Sequence, residues 1–288
     1  MRCRENGRRG RVAWRLVRVH VVSDVHGNAE ALARAGLGAD ALLVLGDLIN
    51  VVDYHDPSAG ILGAVFGPTV ARRFAQLRCS GAREERYAFM RELLIQAPGA
   101  PTAIHEAVVE QYKRVFAALP TPAYLTPGNV DVPDLWPRFV RPGVHILDGA
   151  TAIIGGLRWG FVGGGLLPDG VVPQGESLFR PYLRTPKEYG AALAALGQVD
   201  VLCTHIPPAV PELLYDVQAR CAELGSAQLL AVIHRDRPRI ALFGHVHQPL
   251  TQRVRVGRTE CVNVGHFQRT QTPHRLQVLT RGSEGNAR

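Results

Sequence analysis

Five short apolar runs along this 288-residue chain each stop at a polar cluster, and that recurrence constrains the fold more than any other feature. LVRVHVV (16–22) runs into Ser23-Asp24-Val25-His26-Gly27-Asn28, and ALLVL (41–45) into Gly46-Asp47. AYLTP (123–127) leads to Gly128-Asn129-Val130-Asp131, and VDVLC (199–203) to Thr204-His205-Ile206-Pro207-Pro208. RIALF (239–243) leads to Gly244-His245-Val246-His247. Runs this short, rich in Val, Ile and Leu and closed by Gly or Pro, predict buried strands rather than helices. In open α/β sheets ligands bind beyond the carboxyl ends of the strands, so the five ends are expected to line one rim.

Helical periodicity falls between the runs, at Ala29 to Ala35, about Ala82 to Ile95, Ile104 to Leu119, Lys187 to Leu196 and Pro211 to His234. Further β-like runs near 144–147, 151–154, 157–162, 252–256, 260–264 and 275–279 suggest antiparallel hairpins. Together they predict a mixed α/β sandwich with two sheets in one domain, 16–281. Between Asp47 and Asn129 lie 81 residues, more than one crossover needs. The stretch from about 51 to 120 therefore reads as an insertion, largely helical in its second half, that could cover the rim as a lid. Residues 1–15 and 282–288 read as disordered tails.

The formal charge of +8 would suggest an anionic macromolecular partner if it were spread over the surface. Seven arginines less Glu5 place +6 of it before residue 19, leaving +2 for the remaining 270 residues. A nucleic-acid substrate gains little from a charge confined to a tail. The run after Arg8-Arg9 is interrupted by Arg18, His20 and Asp24, which excludes a secretory core, and no segment has the roughly 18 apolar residues of a membrane span. Five cysteines without CxxC spacing indicate neither a disulfide framework nor a zinc knuckle. A soluble cytoplasmic protein without a membrane partner is the expectation, with oligomeric state left open.

Two strand ends have the form ligand-x-ligand, Asp24-x-His26 and His245-x-His247. A tight turn can aim both side chains at one point, and Gly27 and Gly244 leave the backbone room to do so. Imidazole nitrogen with carboxylate oxygen suits Zn, Mn or Fe, whereas Ca and Mg prefer oxygen alone. Asp24, His26, Asp47, Asn129, His205, His245 and His247 make seven candidate ligands. That is too many for one tetrahedral ion and suits two ions sharing a carboxylate, the equipment for in-line attack on phosphorus by a metal-bridging hydroxide. Asn129 would complete a shell without adding charge. His20, His105, His145, His234 and His274 have no such pattern and read as structural or surface residues.

In this order the motifs D24-x-H26, G46-D47, G128-N129, H205 and G244-H245-x-H247 resemble the calcineurin-like metallophosphoesterases. The GNVD and THIPP forms resemble the small prokaryotic phosphodiesterase-like branch. The resemblance implies a four-layer α/β/β/α double β-sandwich. It also implies one metal on Asp24, His26 and His247, a second on Asn129, His205 and His245, and Asp47 bridging. Two positions depart from the pattern. Val130 stands where many members carry a histidine that protonates the leaving oxygen, and Asn50 where many have an acid. His55 and His266 are the candidates for a substitute acid.

The function expected is hydrolysis of a small or nucleotide phosphodiester, because a good leaving group suffers least from a missing acid. A phosphomonoesterase is the near alternative, and a metal-binding scaffold without turnover the rival from another class. A nuclease would need a basic rim with interleaved aromatics, of which the sequence gives no clear sign. Tyr54, His55, Arg72 and Arg73 in the insertion are candidates for specificity, although the arginines equally suit a solvated helix face.

Overall fold

The computed structural model describes residues 14–167 and 180–281. From β1 (Trp14–Val22) the chain passes through α1 (Ala29–Ala35) to β2 (Ala41–Val44). Four helices follow, α2 (Ile61–Phe66), α3 (Pro68–Cys79), α4 (Arg83–Gln96) and α5 (Ala100–Ala118), before β3 (Ala123–Leu125). A 3-10 segment at Pro133–Arg138 leads to β4 (Val144–Ile146), β5 (Ala150–Ile154), β6 (Leu157–Val162), β7 (Gly165–Leu166) and β8 (Leu183–Arg184). Next come α6 (Pro186–Ala195), β9 (Val201–Thr204), α7 (Pro211–Leu214), β10 (Tyr215–Asp216), β11 (Cys221–Ala222), α8 (Ala227–Asp236) and β12 (Ile240–Phe243). The described chain ends with β13 (Arg253–Val256), β14 (Thr259–Asn263), α9 (Phe267–Thr270) and β15 (His274–Arg281).

Period-2 alternation explains the layering. On β1, Val17, Val19 and Val21 face one way, into a buried cluster with Leu43, Trp159, Phe161, Val201 and Leu242. Those partners come from both large sheets, a five-stranded one of order β15-β1-β2-β3-β4 and a six-stranded one of order β13-β14-β12-β9-β6-β5. This cluster is therefore the filling of the sandwich. Val22 faces the other way, into a cluster with Leu32 of α1, Tyr112 and Phe116 of α5, and Trp136. Tyr189 of α6 and Leu229 and Ile233 of α8 cover the outer face of the second sheet through Leu202 and Phe243. The four layers expected are present, and β1, β2 and β3 run parallel so that their carboxyl ends share one rim.

The structure changes three expectations. The first strand begins at Trp14, two residues before the expected boundary, while 1–13 and 282–288 lie outside the described residues. No single helix runs from Pro211 to His234. Helix α7 ends after Leu214, and the Asp216 carboxylate takes the N–H groups of Gln218 and Ala219, which builds a turn between β10 and β11. Ser226 then caps α8 by accepting from the Leu229 N–H. Third, the stretch 51–120 is helical in both halves, and its last helix is not a lid. Ile104, Val108, Tyr112, Val115 and Phe116 of α5 recur at helical spacing and are buried against α1 and the first sheet. Among the described residues no helix is long and apolar enough to cross a membrane.

Leu43 lies at 0% exposure between the sheets and Leu279 at 67% on the outside. Leu43→Ala is expected to cost about 2–5 kcal/mol and Leu279→Ala about 0.5 kcal/mol or less in urea unfolding. Equal costs would contradict the placement of the core.

Candidate metal centre

The turns at the strand ends depend on backbone shapes that side chains other than glycine rarely take. Asp24, His26, Asp47 and His245 have φ of 57°, 42°, 53° and 70°. Such left-handed residues are uncommon and are held by their surroundings. Here hydrogen bonds from Asp24 N to Gly46 O (3.1 Å) and from His26 N to Asp47 O (2.9 Å) join the first two ends. The Gly244 N–H donates to His205 O (2.9 Å), and the His245 N–H to Asp24 Oδ2 (3.0 Å), which ties the second sheet to the first. A Cβ on Gly244 would meet Ser23 Oγ at 2.0 Å, and one on Gly128 would meet Asp47 Oδ1 at 2.1 Å. Only glycine allows these approaches.

All seven candidate ligands converge. His26 Nε2 lies 3.2 Å from His247 Nε2 and 3.9 Å from Asp24 Oδ1, which is 3.5 Å from His247 Nε2. On the other side, Asn129 Oδ1 lies 2.9 Å from His205 Nε2 and 2.8 Å from His245 Nδ1. Asp47 stands between the sets, with Oδ2 4.0 Å from His26 Nε2 and Oδ1 3.4 Å from His205 Nε2. The Val130 N–H donates to that Oδ1 (3.0 Å), so this position contributes its backbone while its side chain packs toward α5 and the first sheet.

The donor set fits divalent cations. His26 Nδ1 is 3.1 Å from Ile49 O and His205 Nδ1 is 2.8 Å from Leu45 O. A carbonyl only accepts, so in the neutral rings the proton sits on Nδ1 and the Nε2 lone pair is left facing the centre. Asp24 Oδ1 is buried with no hydrogen-bond partner among the described residues. A buried carboxylate oxygen so placed needs a cation.

Electrostatics without metal agree. Burial alone would raise the Asp24 carboxyl, but His247, His205 and His26 outweigh it and hold the group well below the usual range. Burial likewise opposes the neighbouring histidines at Asp47, where His205 prevails and the carboxyl falls to about 2. Burial works against the charge on His205, yet Asp47 and Asp24 raise it to about 9. Burial and then the His205 charge push His245 down to about 4.

His266 joins the first set. Its ring is buried, stacked on His247 at 3.8 Å between centroids, and its Nε2 lies 3.1 Å from Gln268 Oε1. Burial and the His247 charge push it to about 3, so it is neutral at neutral pH. His55 stands apart, exposed, with its Nε2 2.7 Å from Arg269 Nη1. Asn50 is buried and donates to Asp53 Oδ2 (2.9 Å).

Four residues near the centre escaped the sequence reading. Asp131 is fully buried and accepts from Leu48 N (3.0 Å), Gly128 N (2.8 Å) and Tyr112 Oη (3.1 Å), joining the loops that carry Asp47 and Asn129. Its position in GNVD was the available signal. Glu223 lies 3.9 Å from His245 Nε2 and 3.9 Å from Arg78 of α3, and Gln268 donates to Asp53 Oδ2 (3.1 Å). No motif marks these three, because a distant hairpin, an insertion helix and α9 bring them together. Asp131→Ala would strip acceptors from two buried N–H groups and a hydroxyl, each worth about 1–3 kcal/mol. The expected loss in urea unfolding is roughly 2–5 kcal/mol, whereas a change below about 1 kcal/mol would mean that the loops hold without it.

A search among curated proteins found no match. Among solved structures, one crystal structure aligns over 93% of this chain and 99% of its own at 17% identity, with a TM-score of 0.58. TT1561 of Thermus thermophilus aligns over 91% and 99% at 15% identity, with a TM-score of 0.51. Both show likeness of fold. The phosphopantetheinyl hydrolase of Mycobacterium tuberculosis aligns over 90% and 95% at 13% identity, with a TM-score of 0.43. The sequence profile of the calcineurin-like phosphoesterases matches residues 17–249, which is most of the described chain. The chain thus belongs to the calcineurin-like phosphoesterases and is a metal-dependent hydrolase of phosphate esters.

Proposed function

We propose that this protein hydrolyses a small or nucleotide phosphodiester with two divalent cations, Mn, Fe or Zn, at the rim of the sandwich. The observation that carries the reading is the place of Asp47, whose two carboxylate oxygens face two separate histidine sets. One cation would be held by Asp24, His26 and His247, the other by Asn129, His205 and His245, with Asp47 shared. Bound there, two such ions neutralise charge on the phosphoryl oxygens and lower the pKa of a water towards about 7.

The chain's own contribution is positional. Ile49 O and Leu45 O fix the rings of His26 and His205, and the Val130 N–H fixes one oxygen of Asp47. Val130 offers no proton, His266 is held neutral, and His55 is turned to Arg269. Without a general acid, worth about 10² to 10⁴ in rate, a leaving group must depart with its own charge. That favours esters with an acidic leaving alcohol or phenol over alkyl esters. A phosphomonoesterase remains the second reading, since an acid supplied by the substrate would lift this restriction.

Purified protein with added Mn is expected to hydrolyse bis-p-nitrophenyl phosphate faster than p-nitrophenyl phosphate. Asp47→Ala and His205→Ala should each lower turnover by about 10²-fold or more, since loss of even an outer-shell partner of a metal ligand typically costs about 10- to 100-fold. Preference for the monoester would reverse the ranking, and metal-loaded protein inert to both would point to a scaffold.

Metal binding must also displace the proton that Asp47 holds on His205. Below pH about 9 the apparent affinity for Mn should therefore rise with pH, with proton release visible by calorimetry in buffers of different ionisation enthalpy. In the metal-free protein the same pair stabilises the fold fully below the unfolded imidazole value near 6.5, and that contribution is lost as pH rises through about 9. Affinity independent of pH between 6 and 9 would remove His205 from the ligand set.

A further inference from the structure

A cavity of about 270 Å³ opens beside the centre, between the start of α1, the loop after β2, α5 and α9. His26 forms part of its wall, so a molecule held at the histidine sets lies next to it. Asn28, Asn50, Gln111 and Gln268 supply most of the remaining polar wall, and these carboxamides are held in place by backbone groups and by the Asp53 carboxylate. The Asn50 N–H donates to Gln111 Oε1 (2.8 Å), and Asn28 Nδ2 donates to Gln268 O (3.0 Å). Asp53 also lines the cavity and keeps its charge, with both oxygens taken by donors of the protein. Its Oδ1 accepts from the N–H groups of His55 and Asp56 (2.8 and 2.9 Å), and its Oδ2 from Asn50 and Gln268 (2.9 and 3.1 Å).

Arg114 of α5 differs from all of these. It is exposed at the cavity, and among the described residues it has neither an ion pair nor a hydrogen bond. Its neighbour Lys113 pairs instead with Glu110 (3.9 Å). A guanidinium presents a planar fork of N–H donors that matches the oxygens of a phosphate or carboxylate. A rigid polar wall with one free cation therefore suits an oxyanion, and the volume suits one small group rather than a polymer.

We propose that this cavity is a substrate subsite, in which Arg114 receives a second anionic group, a phosphate or carboxylate, on the part of the substrate beyond the scissile phosphorus. The inference rests on the phosphodiesterase reading and narrows it to substrates with a charged non-reacting arm. Arg114 is then a specificity-determining residue that acts mainly on KM.

The test uses three p-nitrophenyl phosphodiesters whose second ester group is ethyl, 2-carboxyethyl or 2-phosphoethyl, with the full chain and Mn. The wild-type protein is expected to favour one or both charged esters by about tenfold or more in kcat/KM, the scale of one charge-assisted hydrogen bond. Arg114→Ala should abolish that preference while leaving the ethyl ester within about twofold. Ala59→Phe, at an exposed point of the cavity wall, should do the same by filling the space. Advantage for the phosphoethyl ester alone would identify a phosphate, and for both a general oxyanion subsite. No advantage in the wild type, or an advantage that survives Arg114→Ala, overturns the inference. If even the ethyl ester is inert, the phosphodiesterase reading fails, and calorimetry with the matching methylphosphonate monoesters decides the cavity separately. Tighter binding of the charged arms that is lost in Arg114→Ala upholds the subsite, and equal affinity refutes it.

Discussion

The centre rests on four backbones held where they would not go unaided. Asp24, His26, Asp47 and His245 all have positive φ, at a cost of order 1–3 kcal/mol each for residues that have a Cβ. Asp and His tolerate this region better than β-branched residues, which helps explain why such types stand there. The rest of the architecture supplies the restraint. Parallel pairing of β1, β2 and β3 fixes where the loops begin, and hydrogen bonds between successive loops fix where they turn. Glycines at 128 and 244 let one loop lie against the next at distances that a methyl group would prevent.

Two buried carboxylates then divide the work. Asp131 accepts three donors and ties the loops after β2 and β3 to Tyr112 of α5, deep in the helical layer. Asp47 faces outward to the histidines, and its neighbours leave it charged. The contrast follows from partners. Burial raises the Asp131 carboxyl to about 7, with the nearby Asp47 charge adding to the rise, whereas His205 and His26 pull Asp47 the other way. A mutually opposed pair of acids within one rim is a common property of sites that bind cations or move protons.

Segments far apart in the chain meet beside this rim. The stretch 51–120 contributes a layer helix, α5, and through it Arg114, while α3 brings Arg78 to Glu223, which borders His245. The Arg78 to Glu223 pair is long and partly exposed, so it contributes little to stability. Its meaning is positional, since it places an insertion helix within two contacts of a candidate ligand.

Much of this was legible in the sequence. Alternation in LVRVHVV marked the strand and its two faces, and polar clusters at five strand ends marked the rim and the seven converging side chains. These signals survive because strand period and the ligand chemistry of His and Asp are local properties of residue type. The helix expected over Pro211 to His234 was misread because its breaks come from Asp216 and Ser226 capturing backbone N–H groups, which periodicity does not register. The neutral state of His266, the turning of His55 to Arg269 and the free guanidinium at the cavity depend on which distant groups arrive beside them. Residue types along the chain thus determined which side chains could bind metal and on which rim. Tertiary structure alone decided their protonation, their second partners and the shape of the space beside them, because burial and neighbouring charge are set by contacts between segments more than 240 residues apart.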